Sequence, residues 1–195
     1  MRYFLSLGSN LGDKRKNLAQ ALGLLEQGGV IVLQSSSVYS TQPVDYSEQP
    51  WFYNQVVEVI TPLNPHELLR LIKGIEKRMG RKPTRPSRPR PIDIDILLAE
   101  NLIIKTEHLV VPHPRMQKRN CVLVPFKEIN PETMHPLLKK KISELWKKST
   151  DSSVVRKLKA LKRESKRILP QERVKRAYRG RDKVGRAVSE GEMKT

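Results

Sequence analysis

The chain is poor in several residue types at once. It has one cysteine in 195 residues, Cys121, three phenylalanines, and aromatic side chains at only 5%. A lone thiol excludes an intramolecular disulfide and a four-cysteine zinc site, and it fits a reducing compartment. No apolar run approaches the roughly 20 residues of a bilayer-spanning helix. The apolar stretch after Met1 is too short for a secretory leader. A cytoplasmic protein with no membrane attachment is expected. The Gly-x-x-x-x-Gly-Lys-Ser/Thr loop, the Gly-x-Gly-x-x-Gly fingerprint and the protein-kinase His-Arg-Asp and Asp-Phe-Gly elements are all missing, which excludes those nucleotide-binding designs.

Acids are also scarce, 20 against 38 Lys plus Arg, giving a net charge of +18. Residues 150–195 hold 15 basic and 6 acidic side chains, so the last quarter of the chain carries half of the excess. A basic surface attracts phosphate-bearing partners, from nucleotides to nucleic acid.

What is present reads as alternating strands and helices. Residues 2–7 alternate as a strand, and Gly8 to Asp13 ends it. Leu18, Ala21, Leu22 and Leu25 form a helical stripe behind Asp13 as N-cap, with Gly28-Gly29 as the stop. Residues 30–39 and 52–60 read as strands. Asn64-Pro65-His66-Glu67 is a helix start, followed by the stripe Leu68, Leu71, Ile72, Ile75, Met79 and by Gly80 at the C-terminal position. Residues 92–98 read as a strand, with 102–104 as the other arm of a hairpin. Residues 120–126 fit a strand or a buried helix, and 142–146 close the core. This order predicts an α+β fold: a ferredoxin-like antiparallel sheet with helices packed on one face. The domain is expected over 1–149. Residues 150–195 read as a basic extension, with a helical stripe through Val154, Leu158, Leu161 and Ile168 to about residue 169 and disorder after it.

Asp93 and Asp95 are the sharpest chemical signal. Two residues apart on a strand, they share a face, while Ile92, Ile94 and Ile96 point into the core. Paired carboxylates repel unless a cation sits between them. Mg²⁺ suits them, because it takes one or two carboxylates and completes its shell with substrate phosphates. Residues 81–91, just ahead of the pair, hold four prolines and five cations, Arg81, Lys82, Arg85, Arg88 and Arg90, and no acid. Guanidinium forks bind phosphate oxygens. His113 and Arg119 flank a proline-rich turn and could add phosphate contacts. Phe52 and Asn54, near Pro43 and Val44, suit a flat heteroaromatic ligand through stacking and paired hydrogen bonds. Each piece alone is equally an ordinary loop, strand face or turn.

In order along the chain, these segments resemble the 6-hydroxymethyl-7,8-dihydropterin pyrophosphokinases of folate synthesis. The resemblance rests on Leu7-Gly8-Ser9-Asn10-Leu11-Gly12-Asp13, Tyr39-Ser40-Thr41-Gln42-Pro43, Phe52-Tyr53-Asn54, Glu76 to Arg81, Pro89 to Leu97, and Val111-Pro112-His113-Pro114. It covers roughly residues 2–146. It implies a ferredoxin-like fold, two Mg²⁺ ions bound with ATP, and transfer of the ATP diphosphate to the pterin hydroxymethyl group with release of AMP. By position, Asp93 and Asp95 would hold metal. Arg81 and Arg90, with Asp95, would be the catalytic groups. His113 and Arg119 would contact ATP phosphates, and Leu69 and Ile96 would flank the adenine. Thr41, Pro43, Val44, Phe52, Asn54 and Cys121 would form the pterin pocket. The chain departs from the family pattern at Ser87-Arg88-Pro89-Arg90, where Trp-Gly-Pro-Arg is usual, and at Cys121, where a second stacking aromatic is common. Trp51 is a candidate substitute. A monomer is expected. The competing expectation is a ferredoxin-like nucleic-acid-binding module, or nucleic acid held by the basic tail alone.

Overall fold

The computed structural model describes residues 1–43, 49–82 and 88–160. Along the chain they form β1 (Arg2–Ser9), α1 (Lys14–Gln27), β2 (Ile31–Ser35), β3 (Tyr39–Thr41), β4 (Phe52–Ile60), α2 (Pro65–Arg78), β5 (Asp93–Ala99), β6 (Ile104–Lys105), β7 (Val110–Val111), α3 (Asn120–Ile129), β8 (Met134–His135), β9 (Lys140–Lys141), α4 (Ile142–Lys147) and β10 (Val155–Lys157). The main sheet is antiparallel, in the order β10-β3-β4-β1-β5, with β2 also paired to β4.

The sheet is covered on both faces, not one. Tyr3, Leu5 and Leu7 of β1 join Leu18 and Leu25 of α1 and Leu68, Ile72 and Ile75 of α2 in one core. Phe4 points the other way and packs with Val122, Leu123 and Phe126 of α3 and Ile142 and Leu145 of α4. Its ring lies 4.5 Å from that of Phe126. Successive strand residues face opposite sides, so Phe4, read as the outer half of an alternation, marks a second core. Gly8 does not end β1, which runs on to Ser9.

Both long helices begin as their sequences dictate. Asp13 accepts the Lys16 N–H at 3.0 Å. Asn64 accepts the His66 and Glu67 N–H groups, and Glu67 returns a contact to the Asn64 N–H at 2.8 Å, a complete capping box.

Other expectations change. The stretch 30–39 breaks into β2 and β3 at Ser36: its N–H still reaches the Val56 carbonyl, but its Oγ accepts the Val56 N–H and its carbonyl accepts the Gln55 amide instead. Leu102 and Ile103 are exposed, and β6 pairs with β7, so 102–104 is not a hairpin arm of β5. Residues 120–126 are helical, as α3. The expected helix through Val154 and Leu158 is instead strand β10, paired Val155↔Thr41 with β3. That pairing carries the sheet past residue 149, so the domain does not close there. The rest of the expected tail helix, and the disorder after it, fall outside the described residues. No helix among the described residues is long and apolar enough to cross a membrane.

Candidate active site

Strand register brings the chemical residues together. Gly8 on β1 pairs with Asn54 of β4 on one side and Asp93 of β5 on the other. One row across the sheet therefore reads Asn54, Gly8, Asp93. Around it opens a cavity of 310 Å³. Thr41, Pro43, Phe52, Asn54 and Cys121 line one half, and Arg81, Arg90, Asp93, Asp95, His113 and Arg119 line the other. Val44, Arg85 and Ser87 lie outside the described residues.

Leu69 and Ile96 do not line the cavity. Ile96 is 5% exposed within the α1–α2 core, and Leu69 packs against that core. The reason is alternation: Ile96 follows Asp95 and turns to the opposite face of β5.

Each cation is held by its own device. At the end of α2, Gly80 takes φ +86°, its N–H reaches the Lys77 carbonyl, and the Arg81 N–H reaches the Glu76 carbonyl. This is a Schellman closure, which favours glycine in the left-handed position. It delivers Arg81 into the cavity, where the guanidinium bonds both Glu76 and Asp93. Glu76 is buried and also accepts the Ile94 N–H at 2.8 Å, tying α2 to the strand that carries both aspartates. Arg90 pairs with Asp93 Oδ2 at 2.6 Å, and its N–H donates to Asn10 Oδ1 at 2.8 Å. The Gly8–Asp13 segment, read as a plain turn, thus fixes Arg90 through Asn10.

The two carboxylates differ electrically. Burial pulls Asp93 upward, yet the Arg90 and then the Arg81 guanidinium hold it below the usual carboxylate range. Asp95 is pushed up to about 6, first by burial and then by the Asp93 charge. The pair is short of positive charge at Asp95. Among the described residues no cluster of three or more His, Cys, Asp or Glu forms. The donor set fits Mg²⁺, which accepts two carboxylates and takes its remaining ligands from water and substrate.

His113 is pushed down to about 4, by burial and then by Arg119 and Arg115. It is neutral near pH 7. Its Nδ1 accepts the Arg115 N–H at 3.3 Å, which leaves the ring proton on Nε2 as a donor. On the other side, Asn54 Nδ2 donates to Thr41 Oγ1 at 2.6 Å. Phe52 lies beneath the Arg90 guanidinium at 5.3 Å. Burial raises the Cys121 thiol to about 11, so it stays protonated.

Sequence reading missed Gly8, Lys73 and Arg115, which also line the cavity. Gly8 had a signal: a glycine inside a strand marks a close approach. Lys73 had none, because its Glu76 partner reads as an ordinary surface helix pair.

The comparisons with known proteins converge on one family. Residues 4–131 match the family of 7,8-dihydro-6-hydroxymethylpterin-pyrophosphokinase. The 2-amino-4-hydroxy-6-hydroxymethyldihydropteridine pyrophosphokinase of Bacillus subtilis is 50% identical over 129 residues, 65% of this chain and 76% of that protein. The folic acid synthesis protein FOL1 of Dictyostelium discoideum is 45% identical over 135 residues, 69% of this chain but 20% of that protein. The solved HPPK-DHPS of Plasmodium falciparum shares the fold, with a TM-score of 0.60 at 20% identity over 75% of this chain and 45% of that one. The chain thus spans about a fifth of one curated relative, under half of this solved one, and three quarters of the bacterial one. On the family match and the bacterial relative, the chain belongs to the 7,8-dihydro-6-hydroxymethylpterin-pyrophosphokinase family.

Proposed function

We propose that this protein transfers the β,γ-diphosphate of ATP to the hydroxymethyl oxygen of 6-hydroxymethyl-7,8-dihydropterin in folate synthesis. The new bond joins that oxygen to the β-phosphorus, and the hydroxyl proton is released to solvent. The bond from the β-phosphorus to the α,β-bridging oxygen breaks, and AMP leaves with its electron pair. The observation that carries this reading is the row Asn54, Gly8, Asp93. It sets a heteroaromatic half-site beside an Arg-carboxylate half-site in one cavity.

Asp93 and Asp95 would hold two Mg²⁺ ions with ATP, supplying charge neutralisation to the phosphate oxygens. Arg81 and Arg90, parked on Asp93 in this structure, carry the guanidinium forks that suit the transferred diphosphate and the charge building on the leaving oxygen. Neutral His113 donates from Nε2 to a phosphate oxygen, and Arg119 adds charge beside it. Phe52 stacks on the pterin, and Asn54, steadied by Thr41, reads its edge. Pro43 and Cys121 complete that half, and the family resemblance alone adds Val44. Such transfer depends mainly on positioning and electrostatics, which this chain's rigid strands favour.

The connection order is β-α-β-β-α-β when β2 and β3, which both pair with β4, are counted as one broken strand; with neighbours antiparallel, it supports a ferredoxin-like core. A monomer working in the cytoplasm is part of the same reading. The nucleic-acid-binding alternative lacks support: among the described residues helices pack against both sheet faces, which leaves no broad open sheet for a row of stacked bases.

Incubation with ATP, Mg²⁺ and 6-hydroxymethyl-7,8-dihydropterin should yield AMP, resolved by anion-exchange chromatography. ADP as the sole nucleotide product, or no turnover, would overturn the reading. Asp95→Ala should reduce turnover by about a thousandfold or more, comparable to removing a main electrostatic group, with an unchanged circular dichroism spectrum. Retained activity would remove Asp95 from the metal site.

A further inference from the structure

One short segment braces the pterin half of the cavity from outside. Residues 150–158 line none of it, yet they contact three pieces of chain that do or that adjoin it. Asp151 Oδ2 accepts the Asn120 N–H at 2.6 Å, and the Asp151 carbonyl accepts Asn120 Nδ2 at 2.6 Å. Asn120 opens α3, whose next two residues, Cys121 and Val122, line the cavity. The Val154 carbonyl accepts the Gln42 N–H at 3.0 Å, and β10 pairs with β3 at Thr41. The Arg156 guanidinium lies 5.4 Å from the ring centre of Trp51, the residue before Phe52. At the end of β10, Lys157 bonds Glu128 of α3 at 2.9 Å, and Glu128 also holds Ser37 and Tyr39. The segment therefore ties β3, the Trp51–Phe52 approach and the start of α3 to one another.

The phosphate half is built differently. Arg81, Asp93 and Arg90 are held by Glu76, by one another and by Asn10. These lie in or just after α2, in or just before β5, or in the turn after β1. β3 has few means of holding itself. It is three residues long and pairs with β4 on its other side. A strand this short gains much of its fixity from a second neighbour.

We propose that residues 150–158, outside the matched family region, are a positioning strap that sets affinity for the pterin and leaves affinity for ATP largely alone, with Arg156 and Asp151 as positioning residues. The inference rests on the pterin reading of this half-cavity. A positional loosening of Thr41 reaches the ligand through Asn54, whose amide Thr41 receives. Loss of the Arg156 contact removes a restraint on the side chain of Trp51, the residue before Phe52.

The test uses full-length Arg156→Pro, Arg156→Ala and Arg156→Lys, with calorimetric titration of the pterin and of Mg²⁺–ATP separately. Proline removes a strand N–H and disfavours pairing in the middle of β10. Alanine removes only the Trp51 contact, and lysine retains a cation over the ring. Expected is a rise in pterin Kd of about tenfold for proline and about threefold for alanine. Lysine should restore it, and ATP Kd should stay within about twofold throughout. Unchanged pterin affinity in the proline variant would overturn the strap. So would equal losses for both ligands, since those report general destabilisation. If the proline variant does not fold, the alanine and lysine pair decides by the same split. Asp151→Ala, which also lies near Arg119, should weaken the pterin more than ATP. Titration needs no turnover. A wild-type protein that shows the split but makes no AMP removes the reaction and keeps the strap, and one that binds no pterin removes both.

Discussion

A methyl group on Gly8 would lie 2.8 Å from Asn54 Oδ1, closer than such contacts occur. Asn54 is buried and bonded to Thr41, so it has little room to yield. Gly8→Ala is expected to turn the Asn54 amide away and raise the pterin KM by about a hundredfold, the scale of a displaced positioning group. The ATP Kd should stay near its wild-type value, and steady-state kinetics with each substrate varied will read the difference. At this scale the sequence was legible where chemistry is local. Asp-x-Asp on a strand states its own shared face, and both aspartates line the cavity. It was not legible for Lys73 or Arg115, whose side chains enter the cavity only through the packing of α2 and the turn after β7. For Ile96, the alternation that turns Asp95 to the cavity turns the side chain to the α1–α2 core instead.

Helix α2 shows how much an element can declare in advance. Asn64, Pro65, the apolar stripe and Gly80 each have a mechanism, and together they specify both ends. Asn64→Ala removes the acceptor of two N–H groups and is expected to cost about 1 kcal/mol, measured by denaturant unfolding. Because Arg81 follows the opposite end of α2, the same variant should lower activity only as far as the helix frays from its distant start, which is little. The short elements were illegible for a physical reason. β3, β6, β7 and β10 have two or three residues each, too few for a period to be seen. Val154 and Leu158 fit a helical stripe equally well. Pairing with β3 decides for strand, and a partner more than a hundred residues away cannot be read from local spacing.

Across the whole molecule, Glu128 of α3 ties the second core to the sheet edge. Burial pulls its carboxyl up, but bonds from Lys157, Ser37 and Tyr39 hold it below the usual value. The same contact and burial raise Tyr39 to about 12. Asp151 is also held low, against burial, by the Asn120 and Ser153 N–H groups. A carboxyl whose folded pKa is depressed contributes stability that is complete above its unfolded pKa and lost as pH falls through the folded one. Glu128→Gln should therefore lower the melting temperature above about pH 5. Near pH 3 the two proteins should converge. Melting curves across that window, with equal gaps at every pH, would show that the charge on Glu128 contributes nothing. Asp95 runs the other way: raised to about 6, it opposes folding increasingly as pH climbs from about 4 to 6. A cation bound beside it, as proposed, would relieve that cost.

The scarcity of acids looked at first like a single basic character. Against the structure, the few acids matter most by location: Glu76, Asp93, Glu128 and Asp151 each hold a cation, a helix start or a strand in place. By itself the sequence determined the long helices and their caps, the central strands, the carboxylate pair and the cations before it, because these depend on neighbours within a few residues. Only the tertiary structure decided that helices cover both sheet faces, that Gly8 lies between Asn54 and Asp93, and that residues 155–157 form a strand against β3. Those depend on register and pairing between distant segments, where the energy lies in contacts that no local pattern encodes.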